Sequence, residues 1–284
     1  MQQTFKKVVA TTLGLALILT MILFIMPVQT ANADTVVWEK VDYDKYFNYE
    51  YYEGTDAYGG NIKDLGLPSN YRYLYIFLSG AGGMGGASID TNPGYGGGAG
   101  GLIVAKIDLR KTESIIILLG KGGGKFSFGS SDTQEDGDGS PSSIWALKGY
   151  TETTPTLLDI VGCYGGKHAT SETPGAGGIV ESATKNNLIN VVYSQNGADG
   201  GQASHSFSVD LGFRTEHFIY RPMGAYPSGK GGGASVYHRG GDGGVMYKNG
   251  SDGVMGAGGG GAGKGATQGG FGGDAYMEIY GSNM

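Results

Sequence analysis

The sequence predicts an all-β protein in which strands alternate with ordered glycine tracts. Three observations carry this. Short runs of aromatic and β-branched residues recur along the chain, as strands require. Glycine occurs 57 times in 284 residues, about three times the usual frequency of roughly 7 %. Nothing after the first 33 residues reads as an amphipathic helix, because glycine this frequent costs a helix interior up to about 1 kcal/mol per residue against Ala.

The first segment reads as an export signal. Lys6 and Lys7 precede an apolar run over 8–25, and Ala31-Asn32-Ala33 offers the small-x-small pattern cut by a signal peptidase. Cleavage before Asp34 is the expectation; the run is also long enough to remain as an anchor. Removing 1–33 takes away two Lys, so the remaining charge is 18 − 26 = −8. That acidic balance argues against nucleic acid as the main partner. Cys163 is the one cysteine, so no internal disulfide forms, and it reads as a small buried apolar side chain.

The strands follow in order. Residues 36–41 (VVWEKV) make the first. Residues 34–70 are expected to form Tyr-rich N-terminal strands, with Tyr43, Tyr46, Tyr49, Tyr51, Tyr52 and Tyr58. These tyrosines pack as cross-strand pairs or present an aromatic platform to a partner. The glycine-rich β domain spans 71–284. Its strands are expected at 71–78, 101–109, 114–119, 143–147, 158–163, 188–193, 207–211, 217–220 and 275–280. Between them lie tracts such as 79–86 (SGAGGMGG), 94–101 (GYGGGAGG) and 256–273, and 21 of the 45 positions over 229–273 are Gly.

That density exceeds the needs of turns. A polyproline-II-type helix has three residues per turn and no internal hydrogen bonds. Its N–H and C=O groups must find partners outside. Without side chains, neighbouring tracts approach closely enough to supply them. An eight-residue tract would span about 25 Å.

The segments YRYLYIFLSGAGGMGG (71–86), GYGGGAGGLIVAKIDL (94–109), ESIIILLGKGGG (113–124), SPSSIWAL (140–147), VGCYGGKHA (161–169) and GGFGGDAYMEIY (269–280) carry a resemblance in their order. The chain resembles the secreted bacterial glycine-rich domain proteins. It is similar to the glycine-rich domains of phage tail-tip adhesins and of the anaplastic lymphoma kinase receptor ectodomain. The resemblance implies a β-sandwich of jelly-roll or TNF-like type with an inserted polyglycine-II-type helix bundle. It further implies recognition of a partner by loops around that bundle. The contact residues of that family share no motif, so none carries over.

No catalytic constellation stands out, and the chain reads as a non-enzyme without cofactor or metal. Residues 224–230 and 258–264 satisfy G-x4-G-K, but Gly231 and Gly265 stand where a P-loop needs Ser or Thr. Glu135, Asp136 and Asp138 form an acidic loop whose spacing departs from a calcium loop. His168, His205, His217 and His238 show no metal-ligand spacing, and His168 reads as a polar residue after a Gly165-Gly166 turn. Tyr237, His238, Arg239, Asp242 and Tyr247 interrupt the glycine tracts. They are the candidate partner-binding residues, expected in loops at the ends of the bundle. The expected function is extracellular recognition or adhesion, with a surface protein or glycan as partner. A structural envelope or matrix protein, in which self-association is expected, is the alternative, and an ice-binding protein a smaller one. A membrane enters only if the leader is retained.

Overall fold

The computed structural model describes residues 38–52, 55–89, 92–124, 137–151, 154–201, 208–210, 215–217, 229–235 and 238–283. The leader, Glu135, Asp136, His205 and Tyr237 lie outside them. No helix among the described residues is long and apolar enough to cross a membrane.

The protein is all-β. β1 (Trp38–Lys40), α1 (Tyr43–Tyr46), β2 (Asn48–Tyr52) and β3 (Thr55–Asn61) open the described chain. β4 (Tyr73–Ser79), β5 (Leu102–Asp108), β6 (Ser114–Leu119), β7 (Ser142–Thr151) and β8 (Thr154–Cys163) follow. β9 (Val180–Ala183), β10 (Ile189–Gln195), β11 (Ser208–Asp210), β12 (Thr215–His217) and β13 (Met277–Ser282) complete the set. They form a five-stranded sheet, β1-β13-β4-β5-β10, a six-stranded sheet, β2-β3-β6-β7-β8-β9, and a β11-β12 pair. Every pairing between these strands is antiparallel.

The Tyr-rich segment is woven into both large sheets. β1 pairs with β13, while β3 lies between β2 and β6. Its one-turn helix α1 is an element that the glycine content gave no reason to expect. Tyr49 and Tyr58 stand opposite each other with ring centroids 5.3 Å apart, and Tyr43 meets Tyr58 edge-on at 5.1 Å. Burial, helped by the nearby Asp44 charge, pushes the Tyr58 hydroxyl up to about 12.

One hydrophobic core is shared by the two large sheets. Leu74, Ile76, Leu78, Ile103, Ile107 and Ile279 come from the first, and Ile115, Ile117, Ile144 and Val161 from the second. Alternation explains the choice: in β6, Ile115, Ile117 and Leu119 are buried while Ser114, Ile116 and Leu118 are only half-buried. Cys163 is buried in this core, and burial pushes its thiol up.

The glycine tracts lie side by side beyond the strand ends. Tract 256–263 shows the rule. Gly258 and Gly261 donate their N–H groups to Gly233 and Lys230. Gly259 and Ala262 donate to Gly83 and Gly86, and Gly260 and Gly263 to Ser251 and Lys248. The carbonyls repeat the pattern. Those of Gly258 and Gly261 accept from Gly241 and Gly244, those of Gly259 and Ala262 from Gly97 and Gly94, those of Ala257 and Gly260 from Gly273 and Gly270. Each direction thus recurs every third residue, and the tract is bonded on all sides by other tracts.

Tract 79–86 behaves alike. Gly80, Gly83 and Gly86 donate to Gly101, Gly98 and Tyr95; Ala81 and Met84 donate to Ser140 and Gly137; Gly82 and Gly85 donate to Gly273 and Gly270. Absent side chains make this approach possible. A Cβ on Gly82 would overlap the Ala257 carbonyl oxygen, and one on Gly259 the Gly270 carbonyl oxygen. Ala81, Ala99, Ala257 and Ala262 mark interior places where a methyl group does fit, each fully buried.

Candidate functional site

Two ends of this bundle carry the side chains that interrupt the tracts. After tract 240–244, Val245 to Lys248 form a turn closed by the Lys248 N–H on the Val245 carbonyl at 2.8 Å. Tyr247 takes φ 64°, a left-handed conformation uncommon for an aromatic residue. Its N–H donates to the Lys264 carbonyl at 2.9 Å. Its ring lies over Gly265, itself at φ 77°, where a Cβ would stand 2.7 Å from the ring. The Gly265 N–H in turn donates to Ser88 Oγ at 3.1 Å.

These bonds bring the segments around Ser88, Tyr247 and Gly265 together. Tyr247 is 69 % exposed, Val245 60 %, Ile89 59 % and Met246 40 %. Lys248 is exposed beside them. Apolar side chains held out to solvent by a bonded backbone suit contact with a partner.

The opposite end holds His238 and Arg239. Ser235 is bonded to His238 there: its Oγ accepts the His238 N–H at 3.0 Å, and its own N–H donates to the His238 carbonyl at 2.9 Å. His238 Nδ1 donates to the Arg239 carbonyl at 2.9 Å. Arg239 and Asp242 form an exposed ion pair at 3.4 Å, of a kind that contributes little to stability. Asp242 itself lies within the tract, where its carbonyl accepts from Ser251. The structure therefore brings His238, Arg239 and Asp242 near one another and sets Tyr247 at the far end of tract 240–244.

Residues 164–170 depart from the expected Gly-Gly turn. They run as another tract: Gly166 and Ala169 donate to Ala81 and Met84, and the Lys167 carbonyl accepts from Gly98. His168 is consequently built in. Its backbone N–H and its Nδ1 both reach Asp138 Oδ1 at 2.8 Å, while Lys167 Nζ reaches Oδ2 at 2.7 Å. Burial alone would raise the Asp138 carboxyl; Lys167 and the two His168 contacts outweigh it and hold it below the usual carboxylate range. Asp138 is thus engaged by this cluster, and no group of His, Cys, Asp or Glu among the described residues has metal-site geometry. The P-loop-like residues 258–263 give all their N–H groups to neighbouring tracts.

This architecture of strands and glycine tracts coincides with a known family model, described as a glycine-rich domain, which matches residues 57–283. The chain belongs to the glycine-rich domain family. No curated protein matches it. The match begins within β3 and ends just after β13, so it takes in β4 to β13 and every glycine tract.

Proposed function

We propose that this glycine-rich domain is an extracellular recognition or adhesion module. In this reading the tracts are polyglycine-II-type helices, set on a jelly-roll-like β-sandwich, and they form a stiff mount. Support for the helices comes from the hydrogen-bond directions of tract 256–263, which recur every third residue. Support for the sandwich comes from the core shared by two antiparallel sheets.

The observation that carries the functional reading is the Val245-Met246-Tyr247 turn with Ile89. Large apolar side chains stand exposed there on a backbone bonded to Lys264 and Ser88. Ordering such a surface in advance lowers the entropy lost when a partner binds. The partner is a surface protein or a glycan. Arg239, at the other end, and Asp242, within the tract, then act as solvated surface residues.

The test is retention of a specific partner from cell-surface extracts by the purified chain, with size-exclusion chromatography of the same sample. Replacing Val245 and Met246 by Ser together with Tyr247→Asn is expected to weaken retention by about thirtyfold or more. The melting temperature should stay near that of the parent, since these side chains are exposed. A large assembly that retains no partner would replace this reading with a structural envelope or matrix role.

A further inference from the structure

The outward face of the six-stranded sheet carries a cleft of about 440 Å³ over β7, β8 and β9, within the size range of small-ligand sites. Its floor follows from strand alternation. Ile144 and Val161 point into the core, so Trp145, Ile160 and Gly162 face outward. Gly162 stands between Ser143 on β7 and Glu181 on β9 in one cross-strand row. Trp145 and Ile160 form the adjoining row.

Both walls are oriented by hydrogen bonds. Trp145 Nε1–H donates to Ser143 Oγ at 2.8 Å, which holds the indole plane. The Tyr164 hydroxyl donates to Glu181 Oε2 at 3.1 Å, which holds the carboxylate at the rim.

Gly162 is the second observation. The bundle glycines are required because a Cβ would strike a backbone oxygen. At Gly162 the nearest atoms to a Cβ are the Ser142 oxygen at 3.3 Å and Ser143 Cβ at 3.7 Å, and no positive φ calls for glycine. A Cβ there would need the Ser142 backbone to give by a few tenths of an ångström, far less than in the bundle, and a glycine inside a strand often marks close approach by a ligand. Here its missing side chain keeps the cleft open between Trp145 and Glu181.

The lining selects the ligand class. No Lys or Arg lines the cleft and Glu181 adds negative charge, so phosphates and other anions are disfavoured. A pyranose has a C–H face suited to an aromatic ring and hydroxyls around its edge suited to carboxylate and serine oxygens. We propose that this cleft binds a neutral saccharide, with one pyranose face stacked on Trp145 and hydroxyls donating to Glu181. The site lies apart from the Tyr247 turn and does not rest on the function argued for it.

The test uses the purified full-length chain with Trp38→Phe, which leaves Trp145 as the remaining tryptophan. Its fluorescence is followed during titration with cellotriose, chitotriose and maltotriose. At least one sugar should give a saturable change with a Kd of about 1 mM, typical of a shallow site. Gly162→Phe, which fills the cleft from its floor, should abolish the change. Glu181→Gln, a surface substitution, should weaken binding by about tenfold and serves if Gly162→Phe fails to fold. The proposal is overturned by a flat titration with all three sugars, or by Gly162→Phe binding like its parent. It is equally overturned if sedimentation shows a dimer that Gly162→Phe dissociates, for the face is then an interface between copies.

Discussion

Gly82→Ala is expected to lower the unfolding free energy by about 3 kcal/mol or more, the upper range for overpacking a close-packed interior. The added methyl meets the Ala257 carbonyl oxygen and the Gly258 nitrogen, which are backbone atoms of a neighbouring tract. No rotamer change relieves such a clash. Tract 256–263 would have to move, and its bonds to Gly83, Gly86, Gly94 and Gly97 would stretch with it. Gly66→Ala is the comparison: Gly66 has φ 65° with open space around it, so only the left-handed conformation costs, about 1 kcal/mol. Urea unfolding of the two variants measures the difference. Equal losses would show that the tracts are not in backbone contact.

Asp159→Ala is expected to cost about 3 kcal/mol or more, because it strips the acceptor from four backbone donors at once, those of Leu188 and Ile189 being buried. Asp159 lies on β8 and is fully buried. Its Oδ1 accepts from the backbone N–H groups of Lys185 and Asn186 at 2.7 and 2.8 Å; its Oδ2 accepts from Leu188 and Ile189 at 2.7 and 3.2 Å. Ile189 begins β10, an edge strand of the other large sheet. The carboxylate thus ties the two sheets together and holds the turn in which Asn187 takes φ 55°. Asp159→Asn keeps one oxygen acceptor and should lose less.

The same group predicts acid sensitivity. Burial by itself would raise the Asp159 carboxyl, but the four backbone donors outweigh it and hold it below the usual carboxylate range. Its folded pKa therefore lies below the unfolded value of about 3.9. The stability it contributes is fully present above that value and is lost as pH falls through the folded pKa. Asp138 behaves in the same direction. Unfolding free energies of the parent should fall below about pH 4, and Asp159→Asn should flatten that fall. An unchanged slope in the variant would remove Asp159 from the account.

Much of the fold was legible in the chain. β6 coincides with the expected run at 114–119, and β4, β5, β8, β10 and β13 lie within a few residues of theirs, because apolar and β-branched runs report directly on burial. β9 escaped notice: Val180–Ala183 is short, and three of its four side chains are exposed. The candidate cluster was legible as interruptions of the tracts but not as an arrangement. Tyr247 is eight residues from Arg239 in sequence, yet tract 240–244 lies between them and sets them at its two ends. The Trp145 cleft left a faint signal, a glycine between Val161 and Cys163 inside a strand, which meant nothing until the packing around Gly162 was known.

By itself the sequence determined that this protein is all-β, that its glycine is tied to order rather than to flexible linkers, and that Cys163 is buried. Those properties follow from residue type and local pattern. Tertiary structure alone decided which tract bonds to which. Glycine has no side chain to distinguish one neighbour from another, so tract 256–263 finds 79–86, 94–101 and 229–235 only because the strands and turns deliver them there. The same holds for Asp159 and Asp138. Their partners lie about 26 to 30 residues away, and a carboxylate looks like any other in the sequence until the fold brings its partners to it.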